Sequence, residues 1–467
     1  MKNNQRLQTN EKIETRRFLE IILLALVDII FAISLCLVDY KITGQIGKKI
    51  LVFIVIFTLT GLFYHIILQK FLKFADQIIL PVVMLLASIG VTIIYRIELP
   101  RTRAGFIGYG NIATMQFAWI ILSLVLSAGM IFFIKDYIKL RRYIYTSMAI
   151  GLVLLISPIL PIIGTSVNGA QLWINLAGIT IQPAEFAKIF LSIFFAGYLV
   201  EKRDVLALAG PKILGIRFPR LQDFGPILFV WAGSLGILVL QHDLGTSLLF
   251  FGMFLCMLYV ATDRPSWLVI GGVLFLAAVS VILTIFPYVA ARFDIWLNPF
   301  AQTVYERSPG GSGQIVQGLF GLAAGGLFGT GWGSGHPGIT PFADSDFVFT
   351  SIGEQIGLTG IIVILLCYLI LSARGIIIAK RELLGFGKLL SSGIAFSIIL
   401  QVFVVVGGIT LIIPLTGLTL PLLSRGGSSL MANFIFITIL LVVSNSANTP
   451  KEGNFLQSDE LLNGGAV

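Results

Sequence analysis

Apolar stretches long enough to cross a lipid bilayer recur from one end of this chain to the other, and few folds accommodate that. A spanning helix needs about 20 apolar residues. Twelve segments qualify: approximately Phe18 to Val38, Ile50 to Leu68, Ile78 to Tyr95, Met115 to Ile134, Tyr143 to Ile163, Ala184 to Val200, Phe224 to Leu240, Leu244 to Ala261, Trp267 to Val289, Phe347 to Ser372, Leu389 to Ile412 and Ser428 to Ser446. In hydrocarbon every backbone amide must bond within its own segment, so each is expected to be a helix. A soluble alternative fails on composition, because 57% of the residues are hydrophobic and 12% charged, against about a quarter charged in soluble domains. The sequence therefore predicts one continuous all-α polytopic membrane protein of about 12 transmembrane helices.

The net charge of +9 does not imply nucleic acid. Basic residues sit in short loops and never form a tract interleaved with aromatics, so they read as topology signals. With the N-terminus cytoplasmic, 22 Lys and Arg fall on the cytoplasmic side and 9 on the other. That bias places both termini in the cytoplasm. Residues 1–17 are polar and the first apolar run keeps spanning length, so a retained first span is expected, not a cleaved signal. Cys36, Cys256 and Cys367 lie inside spans without CxxC spacing, and His65, His242 and His336 are scattered. Neither pattern indicates a disulfide or a zinc site.

This orientation puts three unusual loops outside. Gly164 to Pro183 is uncharged but carries Asn168, Gln171, Trp173 and Gln182. Ala290 to Asp346 is glycine-rich, and its Trp296, Phe300, Tyr305, Phe320, Phe328, Trp332 and Phe342 are too many aromatics for a floppy linker. A folded, partly re-entrant cap over a cavity in the bundle is expected there. Pro414 to Gly427 reads PLTGLTLPLLSRGG.

Ionisable groups at bilayer depth cost at least about 2.5 kcal/mol and mark functional candidates. Glu185 and Lys188 are three residues apart, a spacing that suits a structural ion pair as well as a site. Asp243, in QHDLGTS, either serves function or caps the following helix. Asp28 reads as packing or a functional group, and Glu354 either caps or braces the bundle or serves function. Asp344 and Asp346 directly precede a span, where an aspartate is a favoured N-cap and suits the helix dipole. A catalytic carboxylate fits the same place.

The stretches NGAQLWINL, ITIQPAEFAKI, QHDLGTS, RFDIWLNPF, QIVQGLFGLAAGGLFGTGWG, SDFVFTSIGEQIGLTG and PLLSRGGSSL resemble, in order, the signatures of the shape, elongation, division and sporulation (SEDS) proteins, the family of RodA, FtsW and SpoVE. That family usually has ten spans, with its GAQ-W motif after the third. Here the motif follows the fifth, so residues 18–69 are expected to form two extra N-terminal spans. A SEDS domain over 70–446 and a cytoplasmic tail over 447–467 complete the division. This layout, with the long basic loop from Glu201 to Asp223, is more similar to actinobacterial RodA than to FtsW.

The resemblance implies a peptidoglycan glycosyltransferase that polymerises lipid II on the outer side of the bacterial cytoplasmic membrane during elongation or division. It also implies a class B penicillin-binding transpeptidase and other elongation or division proteins as partners, and Mg²⁺ or Mn²⁺ as an assistant without any nucleotide. The family's essential aspartate falls on Asp346. Trp173, Glu185, Lys188 and Asp243 match further motif positions, and Gln171 and Gln317 complete the substrate-binding set. Leu172 stands where the family usually has Arg, Asn298 where it has Asp, Asp344 where it has His, and Arg425 where it has Tyr. Those departures leave open which cation meets the substrate diphosphate: Arg292 is the first choice and Lys188 the second. The glycines Gly325, Gly326, Gly329 and Gly331 would let backbone approach a sugar or phosphate closely. A lipid-linked precursor flippase would use the same cavity and cations. The absence of an inverted repeat and the surface position of the most complex loop favour chemistry over transport.

Overall fold

The computed structural model describes residues 2–103, 110–134, 136–161, 163–167, 170–176, 178–203, 212–213, 216–217, 221–307 and 310–450. Asn168, much of the basic loop between 204 and 220, and the tail beyond 450 lie outside them. The helices in chain order are α1 (Lys2–Thr43), α2 (Lys48–Phe71), α3 (Ile79–Arg103), α4 (Ile112–Phe133), α5 (Ile138–Arg141), α6 (Ile144–Ile156), α7 (Pro183–Glu201), α8 (Leu221–Leu240), α9 (Leu244–Thr262), α10 (Ser266–Ile285), α11 (Pro287–Leu297), α12 (Gln302–Tyr305), α13 (Gly313–Gly325), α14 (Val348–Arg381), α15 (Gly385–Ile409) and α16 (Gly427–Asn448). The twelve apolar segments are helical over most of their described length, the fifth leaving the helix after Ile159 and the ninth being divided at Phe286 between α10 and α11. Among the described residues ten helices are long and apolar enough to cross a membrane, and the stretches Ile144–Ile159 and Phe229–Leu240 are shorter apolar helices.

In a bilayer both faces of a helix are apolar, so packing and polar contacts decide which face turns inward. On α1 the buried stripe is Leu24, Val27, Phe31, Leu35 and Val38, while Ile22, Leu26, Ile29 and Ile33 face outward. The three- and four-residue spacing is that of one helix face. Polar contacts fasten the two N-terminal spans to the rest. Ser34 and Thr92 hydroxyls meet at 3.3 Å, Tyr95 donates to Asp39 at 2.7 Å, and Tyr64 and Thr438 meet at 3.3 Å. The buried Glu20 and His65 side chains pair at 2.8 Å. At the centre α3, α7 and α16 are enclosed on nearly every side.

The first unusual loop is not featureless. It folds into an antiparallel meander of β1 (Gly164–Val167), β2 (Ala170–Leu176) and β3 (Ile179–Ile181), with Thr165 opposite Trp173 and Asn175 opposite Thr180. Pro183 then opens α7 at a position where its missing N–H costs nothing. A second, two-stranded ribbon joins β4 (Lys212–Ile213) to β5 (Ile216–Arg217).

The second loop is folded, as its aromatic content led us to expect. Helices α11, α12 and α13 lead into a glycine-rich strap, and α14 breaks at Gly357, whose φ is 67° and ψ −172°. The broken turn's backbone groups find partners in the strap. Thr330 N–H donates to Glu354 O and Gly331 N–H to Gln355 O, while Leu358 N–H donates to Gly326 O and Thr359 N–H to Leu327 O, all at 2.9 to 3.1 Å. A Cβ on Gly357 would stand 2.6 Å from the Leu327 carbonyl, so glycine is required by both φ and space. Arg96 of α3 holds the far end of the strap by donating to Ser334 O and to Gly335 O, the latter at 2.7 Å.

Candidate active site

Asp346 lies two residues before α14, where the cap turns into the bundle. The preceding helix α13 packs along α14, with Gly318 against Phe347 and Thr350. Ser351 Oγ donates to Ala343 O at 2.8 Å, and Phe347 N–H donates to Phe342 O at 3.0 Å, so the turn carrying Asp344 to Asp346 is held by the helix it precedes. Phe347, not either aspartate, occupies the cap position, and no side chain caps α14. The N-cap alternative for these acids is therefore not what the structure adopts.

Asp346 is half-buried and has no ion-pair partner among the described residues. Burial, then the neighbouring charge of Asp344, pushes its carboxyl up to about 7 from 3.8, against the opposing pull of Arg292 and Arg425. A carboxylate in that range is matched to proton abstraction near neutral pH.

The candidate cations differ in availability. Arg292, on α11, donates from one terminal nitrogen to Leu415 O at 3.2 Å and to Thr416 O at 2.9 Å, tying the second loop to the third. Trp296 reinforces that tie by donating to Leu411 O at 2.9 Å. Burial lowers the Arg292 pKa, and Asp243, Tyr288 and Asp346 counter it. Arg425 pairs with Asp344 at 2.6 Å.

Lys188 is enclosed, with 2% of its side chain exposed, and it donates to Glu185 at 2.9 Å and to Gln401 at 3.0 Å. The Phe436 ring centroid lies 5.5 Å from its ammonium. Glu185 and Lys188 thus form the internal ion pair that their spacing allowed. Gln401 also donates to Thr419 O at 2.9 Å, so the pair braces the third loop from below.

Asp243 caps α9 by accepting from Thr246 N–H at 2.9 Å. Its other carboxylate oxygen is buried without a hydrogen-bond partner among the described residues, and Arg292 and Glu185 are the charges it feels. The capping and functional readings of Asp243 are thereby compatible. Gln171 and Trp173 lie on β2, the former exposed and the latter half-buried, and Gln171 N–H donates to Gln241 O at 3.3 Å. This puts the sheet beside the QHDLGTS junction. Gln317, on α13, is half-buried with its side-chain oxygen unpartnered among the described residues.

The charges that act on Asp346 are therefore those of Asp344, Arg292 and Arg425, and Asp243 acts in turn on Arg292. The Arg425–Asp344 pair escaped the sequence reading, although both residues depart from the family pattern and that coincidence was a signal for contact. Among the described residues no three His, Cys, Asp or Glu side chains converge to hold a metal ion. Asp346 offers one free carboxylate, and a Mg²⁺ or Mn²⁺ held there would draw its other ligands from substrate phosphate and water.

This is a polytopic helical membrane protein with a folded loop between α10 and α14. The chain belongs to the FtsW, RodA and SpoVE family of cell cycle proteins, matching it over residues 76–449. It is 41% identical over 444 residues to the peptidoglycan glycosyltransferase RodA of Mycobacterium tuberculosis, covering 93% of this chain and 92% of that protein. It is 32% identical over 384 residues to a probable peptidoglycan glycosyltransferase FtsW of Trichlorobacter lovleyi, covering 81% of this chain and 96% of that one. A solved chain from a peptidoglycan synthase complex, described for its coordination of polymerization and crosslinking, superimposes with TM-score 0.61 at 25% identity, covering 80% of this chain and 99% of that chain. The family match begins at residue 76, after α1 and α2, whereas the mycobacterial similarity extends over nearly the whole chain.

Proposed function

We propose that this protein is a peptidoglycan glycosyltransferase that polymerises lipid II on the outer side of the bacterial cytoplasmic membrane, with Asp346 as general base. The observation that carries the assignment is the unpaired carboxyl of Asp346, held near pKa 7 beside two guanidinium groups at the edge of a span. Joining two units requires the 4-hydroxyl of one sugar to attack the anomeric carbon of another. Asp346 accepts the hydroxyl proton as the new C–O bond forms, and the old anomeric C–O bond breaks to release undecaprenyl diphosphate. Negative charge builds on that diphosphate, and Arg292 is the first candidate to offset it. A bound Mg²⁺ or Mn²⁺ would supply further Lewis-acid charge there. Trp173 and Gln171 on the sheet, and Gln317 on α13, are the candidate sugar contacts.

The basic residues' asymmetry supports cytoplasmic termini and an outward-facing cap. A class B penicillin-binding transpeptidase is the partner that would crosslink the product, supported by the likeness to a chain of a polymerising and crosslinking complex. The test is polymerisation of fluorescent lipid II by purified protein, with and without that partner, for the wild type and Asp346→Ala. Loss of polymer in the folded variant supports the assignment. Undiminished polymer refutes the base, and lipid II flipping in liposomes without polymer would make the protein a transporter.

A further inference from the structure

We propose that Arg425 is a diphosphate-binding residue of this site, holding the lipid-linked leaving group by exchanging Asp344 for phosphate oxygens. The inference rests on the glycosyltransferase reading for the identity of the anion, and on geometry for the choice of residue. Three cations come under consideration, and their surroundings separate them. Lys188 is 2% exposed and committed to Glu185 and Gln401. One terminal nitrogen of Arg292 is committed to two backbone carbonyls, which makes Arg292 a tie between loops as well as a charge. Arg425 has 46% of its side chain exposed, and among the described residues its side chain makes one hydrogen bond, from one terminal nitrogen to Asp344. A guanidinium has five N–H donors in a planar fork that matches phosphate oxygens.

The backbone on both sides of Arg425 is pinned while its side chain is left open. Arg425 N–H donates to Asp344 O at 2.8 Å. Ser424 Oγ donates to Ser345 O at 2.7 Å and accepts from Leu420 N–H at 2.8 Å. Gln116 of α4 grips the turn from the other side, donating to Ser424 O at 3.1 Å and accepting from Gly426 N–H at 3.3 Å. Five bonds thus hold the root of Arg425 against the very segment that carries Asp346. Such a root fixes where the fork can reach, and a loop built only to satisfy Asp344 would not need an exposed arginine.

The Asp344 pair gives the exposed guanidinium a resting partner. A diphosphate carries more charge than one carboxylate and accepts the fork bidentately, so it competes for Arg425 effectively. The exchange also leaves Asp344 uncompensated beside Asp346.

The experiment measures binding without turnover, using undecaprenyl diphosphate as the probe and full-length protein in nanodiscs. Arg425→Ala is expected to weaken binding, and to reduce kcat/KM for lipid II by roughly 10²-fold, the usual effect of removing one donor aimed at developing charge. Arg425→Lys is expected to fall between, since it keeps the charge and loses the fork. Asp344→Asn releases Arg425 and is expected to bind the probe as tightly as wild type or tighter. Equal weakening by Arg425→Ala and Asp344→Asn would reduce the pair to a structural tie and overturn the proposal. Wild-type binding by Arg425→Ala would overturn it as well. A protein that binds the probe through Arg425 yet forms no polymer would instead defeat the glycosyltransferase reading and leave the anion site standing.

Discussion

Replacing Asp346 by Asn tests the base and its environment together. Burial and the Asp344 charge raise this carboxyl to about 7, so it is half ionised near neutral pH. About a tenth of the molecules would carry the carboxylate at pH 6 and about nine-tenths at pH 8. For the wild type, kcat/KM at low lipid II should therefore rise roughly tenfold over that range. An ordinary aspartate, ionising near 3.8, would give a flat profile there. Asp346→Asn keeps the shape and removes the base, and polymerisation should fall about 10²- to 10⁴-fold.

Stability should move the other way. A folded-state pKa above the unfolded value contributes stability that is complete below about 3.8 and is lost as pH rises through about 7. At pH 8 the wild type holds an ionised carboxylate where the fold prefers a neutral group. The gap between the two values corresponds to a ceiling of roughly 4 kcal/mol. Partial access to solvent brings the measurable gain below that ceiling. Asp346→Asn should thus be inactive and show a higher Tm than wild type at pH 8, with the difference shrinking as pH falls and vanishing only below about 3.8. A flat wild-type pH profile, or a variant less stable than wild type at pH 8, would refute the reasoning.

Lys188→Met should lower stability by about 3–5 kcal/mol in thermal unfolding, because it strands Glu185 in the interior, and adding Glu185→Gln should restore much of the loss. A double variant no better than the single one would contradict a closed ion pair. Gly357→Ala should cost at least about 1–2 kcal/mol from positive φ alone, and more from the Leu327 carbonyl; wild-type Tm and polymerisation would show that the break in α14 can relax. Asp243→Ala should lose about 1 kcal/mol of capping, while Asp243→Asn keeps an acceptor for Thr246 and should lose little. Equal Tm values for those two variants would remove the capping role.

The run of apolar segments was enough to establish a polytopic helical bundle, because hydrocarbon tolerates no other backbone state for them. The i,i+3 spacing of Glu185 and Lys188 allowed their pairing, and the fused aromatic and glycine content of the second loop called for a folded cap. These are local properties, legible wherever the residues that interact are near in sequence. The β-meander was not legible, since its short strands are stabilised by each other and by the bundle mouth rather than by a strong alternation. Nor was the break at Gly357, which reads as mid-span until the strap from Gly326 to Gly331 supplies partners for its freed backbone groups. Only the tertiary structure separated the cations: it enclosed Lys188, turned Arg292 into a tie between loops and left Arg425 open beside Asp344. Sequence specifies which charges exist, but their availability depends on contacts between segments some 80 to 240 residues apart, such as Asp344 with Arg425 and Lys188 with Gln401.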